Sequence, residues 1–194
     1  MRRVRTALVV AVVVSVTAGC SRRPPTLKSV ALGSQRGCGV SKKGEAWCFP
    51  GLSPDKRAEI VATSVDDAVA VGGAVFVASH GAVRCVGACP ASAVLESHVT
   101  KMRGGDFLWQ LTGEGDLSST DVRSGKKTPV ATRVRDFAIG VFGVLYTTNG
   151  GDDVRFVDRF EPNVVRTIAG FAGAVSFAVG GGHACAGIDG RRGT

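Results

Sequence analysis

Residues 29–51, SVALGSQRGCGVSKKGEAWCFPG, contain the pattern that decides the fold. The pattern is a short apolar strand, a glycine, a second strand with Cys38, a polar turn at Ser41–Gly44, and a returning strand that ends at Cys48. Glycine at the tip is typical of a tight β-hairpin. Weaker copies of this unit recur along the chain, so repetition is the main signal in the sequence.

Five copies align on the glycine that follows the first apolar segment. These glycines are Gly33, Gly72, Gly104, Gly140 and Gly180, and they are spaced 39, 32, 36 and 40 residues apart. A period of this length is typical of solenoids and propellers. The 27 glycines and the 6 % of aromatic residues favour short strands and turns over long helices. The sequence therefore predicts an all-β, propeller-like array of about five degenerate repeats over residues 29–194, whose connecting loops have room for one further strand per copy.

The first 19 residues have the features of an export signal. Arg2, Arg3 and Arg5 precede an uncharged apolar run, residues 7–18, which is too short for an ordinary membrane-spanning helix. Thr17–Cys20, TAGC, resembles the bacterial lipobox, in which the cysteine thiol accepts a diacylglycerol. We therefore expect a signal peptide at 1–19, lipidation at Cys20 and a lipidated tether at 20–28. An uncleaved signal anchor, or an ordinary secretory signal with a free Cys20, is the alternative.

Lipidation at Cys20 would decide the location of the protein. Ser21 follows the cysteine, in place of the aspartate that favours retention in the inner membrane. We therefore expect an exported protein that is attached to the outer membrane, on its periplasmic or cell-surface face. Without residues 1–19 the chain has 21 basic and 16 acidic residues. We interpret the basic residues near the N terminus as a solvated tether, because charge runs are usually exposed; a segment that lies against anionic lipid or cell-surface polymer is the alternative. Because the chain is expected to be exported and no aromatic residues are interleaved with the basic ones, we expect no nucleic-acid binding.

The repeats resemble the bacterial RCC1-like (regulator of chromosome condensation) β-propeller repeat. Its pattern is an apolar strand, Gly-Gly-x-His-x-Cys-Ala-Leu, a turn with glycine, and Val-x-Cys-Trp-Gly. Residues 181–186, GGHACA, match the first half, residues 39–48 match a degenerate whole, and residues 83–87, VRCVG, match the second half. The resemblance implies a propeller with loop-rich faces that bind protein partners.

The resemblance also raises the question of closure. Propellers of this family usually have seven blades, whereas five copies are visible and the last lacks its return strand. An unpaired strand edge is an aggregation liability unless it is covered. Three explanations stay open: a strand near residues 27–32 completes the last blade, another molecule does so, or the chain is a truncated gene product.

Two disulfide bonds are expected from the family pattern. The two repeat cysteines of the family face each other on neighbouring strands of one hairpin, and Cys38 and Cys48 occupy both positions, which implies a Cys38–Cys48 bridge in an oxidising compartment. In the second copy Val77 stands where Cys38 would be, so Cys85 lacks its usual partner. Cys89 is the nearest substitute, and we predict a Cys85–Cys89 bridge. The alternative is three free thiols, which include Cys185.

Motifs for catalysis or for metal binding do not stand out. His80, Cys85 and Cys89 are too few for a zinc site, and His183 matches a structural histidine of the family repeat. The adjacent carboxylates at 66–67 and 152–153 are interpreted as solvated turn residues, because neighbours in a strand point to opposite faces. We therefore expect no catalytic residue, no metal and no cofactor.

These observations lead to one hypothesis about function and two alternatives. The chain is predicted to be a membrane-anchored bacterial surface lipoprotein that acts as a protein-binding scaffold, and not as an enzyme. Its lipid anchor at Cys20 would contact the membrane, and its protein partner is not identified by any motif. The alternatives are a surface hydrolase with a site assembled from propeller loops, and a truncated, non-functional propeller fragment.

Overall fold

The computed structural model describes residues 26–32, 36–50, 57–90, 95–149, 153–159, 161, 164–169, 174–179 and 183–188. All the regular elements in these ranges are β-strands. The strands are β1 (Leu27–Leu32), β2 (Arg36–Ser41), β3 (Ala46–Pro50), β4 (Glu59–Ala62), β5 (Asp67–Val71), β6 (Ala74–Ser79), β7 (Ala82–Val86), β8 (Val99–Gly104), β9 (Leu108–Thr112), β10 (Leu117–Thr120), β11 (Lys127–Ala131), β12 (Val134–Ile139), β13 (Gly143–Thr148), β14 (Val154–Asp158), β15 (Val165–Ile168), β16 (Ala174–Val179) and β17 (Ala184–Ile188). The predicted signal segment and Cys20 lie outside the described residues.

The strands form five sheets, in each of which neighbours along the chain pair in antiparallel order. We call them blades 1 to 5: β1–β4, β5–β7, β8–β11, β12–β15 and, in the described part of the last, β16–β17. One blade corresponds to each predicted copy, and β4, β11 and β15 are the further strands that the connecting loops had room for. The prediction of an all-β, propeller-like array of about five repeats is therefore confirmed.

The first strands of the blades lie closest to the centre of the array. β1, β5 and β8 contact one another although they belong to three different blades, and β12 contacts β16. Antiparallel pairing then places the later strands of each blade progressively further out.

The core is divided into clusters between successive blades. Blades 1 and 2 enclose the cluster that contains Cys38, Cys48, Ala68 and Val77. The next clusters are centred on Phe76 and Met102 between blades 2 and 3, on Leu111 and Phe137 between blades 3 and 4, and on Leu145 and Ala174 between blades 4 and 5. Because each sheet has apolar side chains on both faces, a blade is stabilised by stacking on its neighbours.

In blades 1, 2 and 3 the same hydrogen bond joins the hairpin tip to the connection that leads into the next blade. In each case a buried valine near the end of the connection donates its backbone N–H to the carbonyl of a hairpin glycine. The bonds join Val65 to Gly44 (3.0 Å), Val99 to Gly81 (2.9 Å) and Val134 to Gly115 (2.8 Å). The residues before the valines, Ser64, His98 and Arg133, have φ of 57°, 56° and 58°. Three non-glycine residues in the left-handed region show how strongly the repeat constrains this corner.

The two cysteine pairs named in the sequence analysis are at disulfide distance. Cys38 and Cys48 are register partners on β2 and β3, with their Cα atoms 4.1 Å apart, and Cys85 and Cys89 have Cα atoms 5.7 Å apart. Among the described cysteines, Cys185 is free and exposed.

The residue opposite Cys85 is different from the one that the sequence alignment gave. Cys85 pairs with Phe76, whereas Val77 pairs with Arg84. The alignment counts forward from the repeat glycine, but that glycine is displaced by one residue between the two blades. Gly33 follows Ala31, the β1 partner of Cys38, by two residues, whereas Gly72 follows Val69, the β5 partner of Phe76, by three. Counting from the glycine therefore gives the wrong face of β6.

Candidate functional site

The two ends of the propeller differ in what they expose. Alternating strand directions place the turns between second and third strands, and the connections between blades, at one end, which we call the hairpin face. The connections from first to second strands and from third to fourth strands lie at the opposite end, which we call the loop face. The candidate site lies on the loop face, where blades 3 and 4 meet.

Arg159 ties this part of the loop face together. Its backbone N–H donates to the carbonyl of Phe142 at 2.9 Å, and its Nη1 donates to the carbonyl of Val141 at 3.3 Å. Its Nη2 lies 2.9 Å from Oδ2 of Asp106, in the β8–β9 connection of blade 3. One side chain therefore fixes the β12–β13 connection of blade 4 and joins it to the neighbouring blade.

The connection held in this way presents two apolar side chains to solvent. Val141 is 57 % exposed and Phe142 is 56 % exposed. The chain reverses tightly here, because the N–H of Gly140 donates to the carbonyl of Gly143 at 2.8 Å. Gly143 has no room for a side chain, since a Cβ would lie 2.1 Å from the carbonyl oxygen of Val157. We call residues 141 and 142 the apolar tip.

Concave surfaces lie on both sides of the apolar tip. A groove of about 240 Å³ between blades 3 and 4 is lined by Phe107, Trp109, Ser119, Asp121, Lys126, Thr128, Val130, Val157, Asp158 and Arg159. An apolar pocket of about 280 Å³ between blades 4 and 5 is lined by Phe142, Gly143, Leu145, Phe156, Ile168, Val179, His183 and Ala184. The tip therefore stands as a ridge between a mixed groove, with aromatic and charged walls, and an apolar pocket.

Asp121 supplies a fixed negative charge at the wall of the groove. Its Oδ1 accepts the backbone N–H of Arg123 at 2.9 Å, and its Oδ2 accepts the hydroxyl of Ser124 at 2.8 Å. These two hydrogen bonds, of which the one from the backbone of Arg123 has the larger effect, hold the pKa of Asp121 below its ordinary value. The carboxylate is therefore ionised at neutral pH.

A second group of charges lies on the inner strands. Lys101 on β8 bonds to the carboxylate of Asp136 on β12, and its ammonium lies 5.3 Å from the ring centre of Phe137. Burial lowers the pKa of Lys101, and the hydrogen bond to Asp136 opposes that shift. Because Lys101 and Asp136 join blade 3 to blade 4, we interpret this cluster as structural and not as part of a binding site.

Asp67 is not the solvated turn residue that the sequence analysis expected. It is the first residue of β5, its side chain is 14 % exposed, and its Oδ2 accepts the backbone N–H of Met102 in blade 3 at 2.9 Å. The contact spans 35 residues, so adjacency to Asp66 gives no hint of it. Asp66 accepts the backbone N–H of His80, and Asp153 is exposed. Asp66 and Asp67 bind different backbone groups and do not form an acid–base pair, and Asp152 lies outside the described residues.

The other residues considered from the sequence are dispersed. His80 and the Cys85–Cys89 bridge lie on opposite ends of blade 2, and His183 is exposed beside the pocket of blades 4 and 5. Within the described ranges, no three His, Cys, Asp or Glu residues are arranged to hold a metal ion. The same part of the chain contains no helix long and apolar enough to span a bilayer.

Comparisons with known proteins agree with the propeller architecture. No family model matches the chain, and no curated protein sequence is significantly similar to it. Human WBSCR16 is similar in structure, with a TM-score of 0.63 and 12 % identity over 88 % of this chain and 60 % of that one. A structure of Kap60 bound to yeast RCC1 (Prp20) gives 0.61 and 12 %, over 84 % of this chain and 54 % of that one. PorZ, a surface component of the type-IX secretion system of Porphyromonas gingivalis, gives 0.58 and 10 %, over 83 % and 23 %.

At these identities the comparisons concern the fold alone. The described chain has a β-propeller fold similar to that of the two RCC1-like structures, and it spans 54–60 % of their length.

Sequence reasoning missed the apolar tip, although a signal was present. Val141 and Phe142 directly follow the repeat glycine Gly140, where the other copies have small or polar residues such as Ser34-Gln35 and Gly105-Asp106. Comparison of the copies with one another at this position would have found it.

Proposed function

We propose that this chain is a protein-interaction scaffold that binds its partner through the apolar tip. The observation that carries the proposal is the exposure of Phe142 on a connection that Arg159 holds in place. Val141 and Phe142 are adjacent and both exposed, and contiguous exposed apolar surface is typical of binding sites. Large aromatic side chains are also enriched among the few residues that supply most of the binding energy.

The surroundings of the tip favour a protein partner over a small ligand. The groove beside it combines the half-buried rings of Phe107 and Trp109 with charges from Asp121 and Lys126 at its rim. An aromatic centre with a polar rim is the usual composition of a protein–protein interface. The ridge between two concavities would enter a cleft of the partner, while partner side chains occupy the groove and the pocket.

The scaffold would act at the bacterial cell surface or in the periplasm, without catalysing a reaction. The lipobox-like residues 17–20 support an anchor at Cys20, and Ser21 supports the outer membrane as its destination. Substitution Cys20→Ser should release the protein from the membrane fraction and abolish labelling with a fatty-acid probe. Unchanged fractionation would contradict the anchor and leave the apolar tip to be tested separately.

Site-specific photo-crosslinking tests the tip directly. A photoreactive phenylalanine analogue at position 142 should give a discrete adduct in cells, whereas the same analogue at Glu114, which is 65 % exposed on the hairpin face, should not. Phe142→Ser combined with an analogue at Phe107 should reduce the adduct. Equal adducts from positions 142 and 114, or none from either, would contradict a partner site at the tip.

A further inference from the structure

One side of blade 1 carries exposed apolar residues in a single patch. Register pairing aligns Val30, Gly39, Trp47 and Ile60 across the four strands of the sheet, with Phe49 in the next row. Val30 is 58 % exposed, Ile60 is 47 % exposed and Phe49 is 40 % exposed. The opposite side of the same blade packs against blade 2 through Cys38 and its neighbours. We call the exposed side the head face.

The internal repeat identifies what normally covers such a face. Val30 stands three residues after Leu27, the first residue of β1, where the pairing of β1 with β2 has a bulge. In blades 2, 3 and 4 the residues that correspond to Leu27 are Val65, Val99 and Val134. The residues equivalent to Val30, three positions further on, are therefore Ala68, Met102 and Phe137. They are 1 %, 0 % and 0 % exposed, because the preceding blade packs on each of them. The head face is therefore one half of an interface between blades.

Blade 5, as far as the structure describes it, presents the complementary half. On second strands, register pairing makes Cys38, Phe76, Trp109 and Leu145 equivalent to Cys185. Under the blade that follows, Cys38, Phe76 and Leu145 are 0 %, 0 % and 5 % exposed and Trp109 is half-buried, whereas Cys185 is exposed. We call the Cys185 side of blade 5 the tail face.

We propose that two copies of this chain associate head to tail, with the head face of one copy packed on the tail face of the other. The inference does not depend on the proposed function, because the apolar tip lies on the loop face and outside both surfaces. We infer that the partner is a second copy because the interfaces between blades 1 and 2, 2 and 3, and 3 and 4 each join a face of the tail type to a face of the head type. A contact of this kind is heterologous, so two or more copies build a ring or an extended array.

The internal interfaces also predict which residues meet. Cys38 and Ala68 lie in the same core cluster, and so do Phe76 and Met102, the equivalent pair between blades 2 and 3. Head-to-tail packing therefore brings Val30 of one copy beside Cys185 of the next.

Disulfide trapping tests this pairing with the full chain. Val30→Cys, exposed to a mild oxidant, should form disulfide-linked dimers and larger species, and peptide mapping should find residue 30 linked to residue 185. The double variant Val30→Cys, Cys185→Ser should lose these species. Val164→Cys, a comparably exposed position (43 %) on neither face, is the matched control and should stay at single-chain mass.

Three results would overturn the proposal. One is a linkage of residues 30 and 185 within a single chain, which would mean that the array closes on itself. Another is a Val30→Cys protein that stays at single-chain mass while both thiols react freely with an alkylating agent. The last is persistence of the linked species after Cys185→Ser. Sedimentation supplies an independent readout: the unmodified chain should sediment at a multiple of the single-chain mass, and Val30→Glu should return it to single-chain mass.

Discussion

The hairpin face and the loop face are made from the same repeat but differ in how strictly the repeat constrains them. On the hairpin face the same valine-to-glycine hydrogen bond recurs in three successive corners, each with a non-glycine residue at φ near 57°. On the loop face the first connection contains two residues between paired positions in blade 2 and four in blade 4. The first face holds the blades together, and the second is free to vary in length and chemistry. Function in repeat proteins is commonly carried by such variable loops.

The largest expected effect is the loss of unfolding free energy when a disulfide is removed. The loss should be greater for the bridge inside blade 1 than for the bridge on the loop face. Cys38 and Cys48 close a loop of 10 residues, and the chain-entropy relation gives about 2.7 kcal/mol for such a bridge. Cys85 and Cys89 are separated by four residues, for which the same relation gives about 1.9 kcal/mol. Replacing each pair with alanine and measuring urea unfolding should rank them in this order. The reverse ranking would contradict the greater importance of the bridge within blade 1.

Two glycines offer a matched comparison of the faces. Gly115 on the hairpin face has φ of +89°, and a Cβ there would lie 3.1 Å from atoms of Arg133 and Val134. Gly72 on the loop face has φ of +57° and nothing within 4 Å of a Cβ. Gly115→Ala should cost about 2 kcal/mol or more, from backbone strain plus crowding, and Gly72→Ala about 1 kcal/mol, from strain alone. Equal losses of unfolding free energy would mean that the corner is less constrained than its geometry indicates.

The apolar tip should be separable from the fold. Phe142→Ser removes an exposed side chain, so the unfolding free energy should change by less than about 0.5 kcal/mol. Binding to the partner captured through residue 142 should weaken by about 30-fold, the size of a hot-spot loss of about 2 kcal/mol. Thermal unfolding and titration calorimetry on the same variant measure the two quantities. A large loss of stability would instead make Phe142 part of the core.

The smallest expected effect is electrostatic. Asp121 on the loop face has its pKa lowered from 3.8, mainly by the backbone N–H of Arg123. Because its folded-state pKa is below the unfolded value, its contribution to stability is present above pH 3.8 and is lost as the pH falls through the folded value. A carboxyl-carbon NMR titration should therefore give a midpoint below 3.8 for Asp121. A midpoint at or above that value would show that the turn does not hold the carboxylate.

Much of the architecture could be predicted from the sequence because the signal repeats. The glycines at hairpin tips, such as Gly44, Gly81 and Gly115, all adopt positive φ, and this requirement is visible in any one copy. The number of blades followed from counting those copies. Local chemistry repeated at a fixed interval is what sequence reasoning detects best.

The misassigned positions depend on contacts between copies. Alignment on the repeat glycine puts Val77 opposite Cys85 because it treats that glycine as fixed relative to the strands, and a shift of one residue in a strand exchanges its two faces. The sequence indicates a solvated Asp67 because its partner, the N–H of Met102, belongs to the next blade. The apolar tip likewise depends on Arg159, which reaches from the end of β14 to two carbonyls of another connection. Such pairings are set by tertiary packing and not by a local pattern.

The division of the core between blades has a consequence for how the molecule opens. Since each blade is stabilised mainly by its neighbours, unfolding should begin at blades 1 and 5, each of which packs on one neighbour in the described structure, as in a one-dimensional chain of coupled units. Amide hydrogens of β6 and β9, which lie in blades packed on both sides, should exchange slowest, and those of β16 and β17 fastest. Where two copies dock, the difference in exchange rate between these strands should become smaller. The exchange rate of β16 and β17 therefore reports whether blade 5 is packed against a second copy.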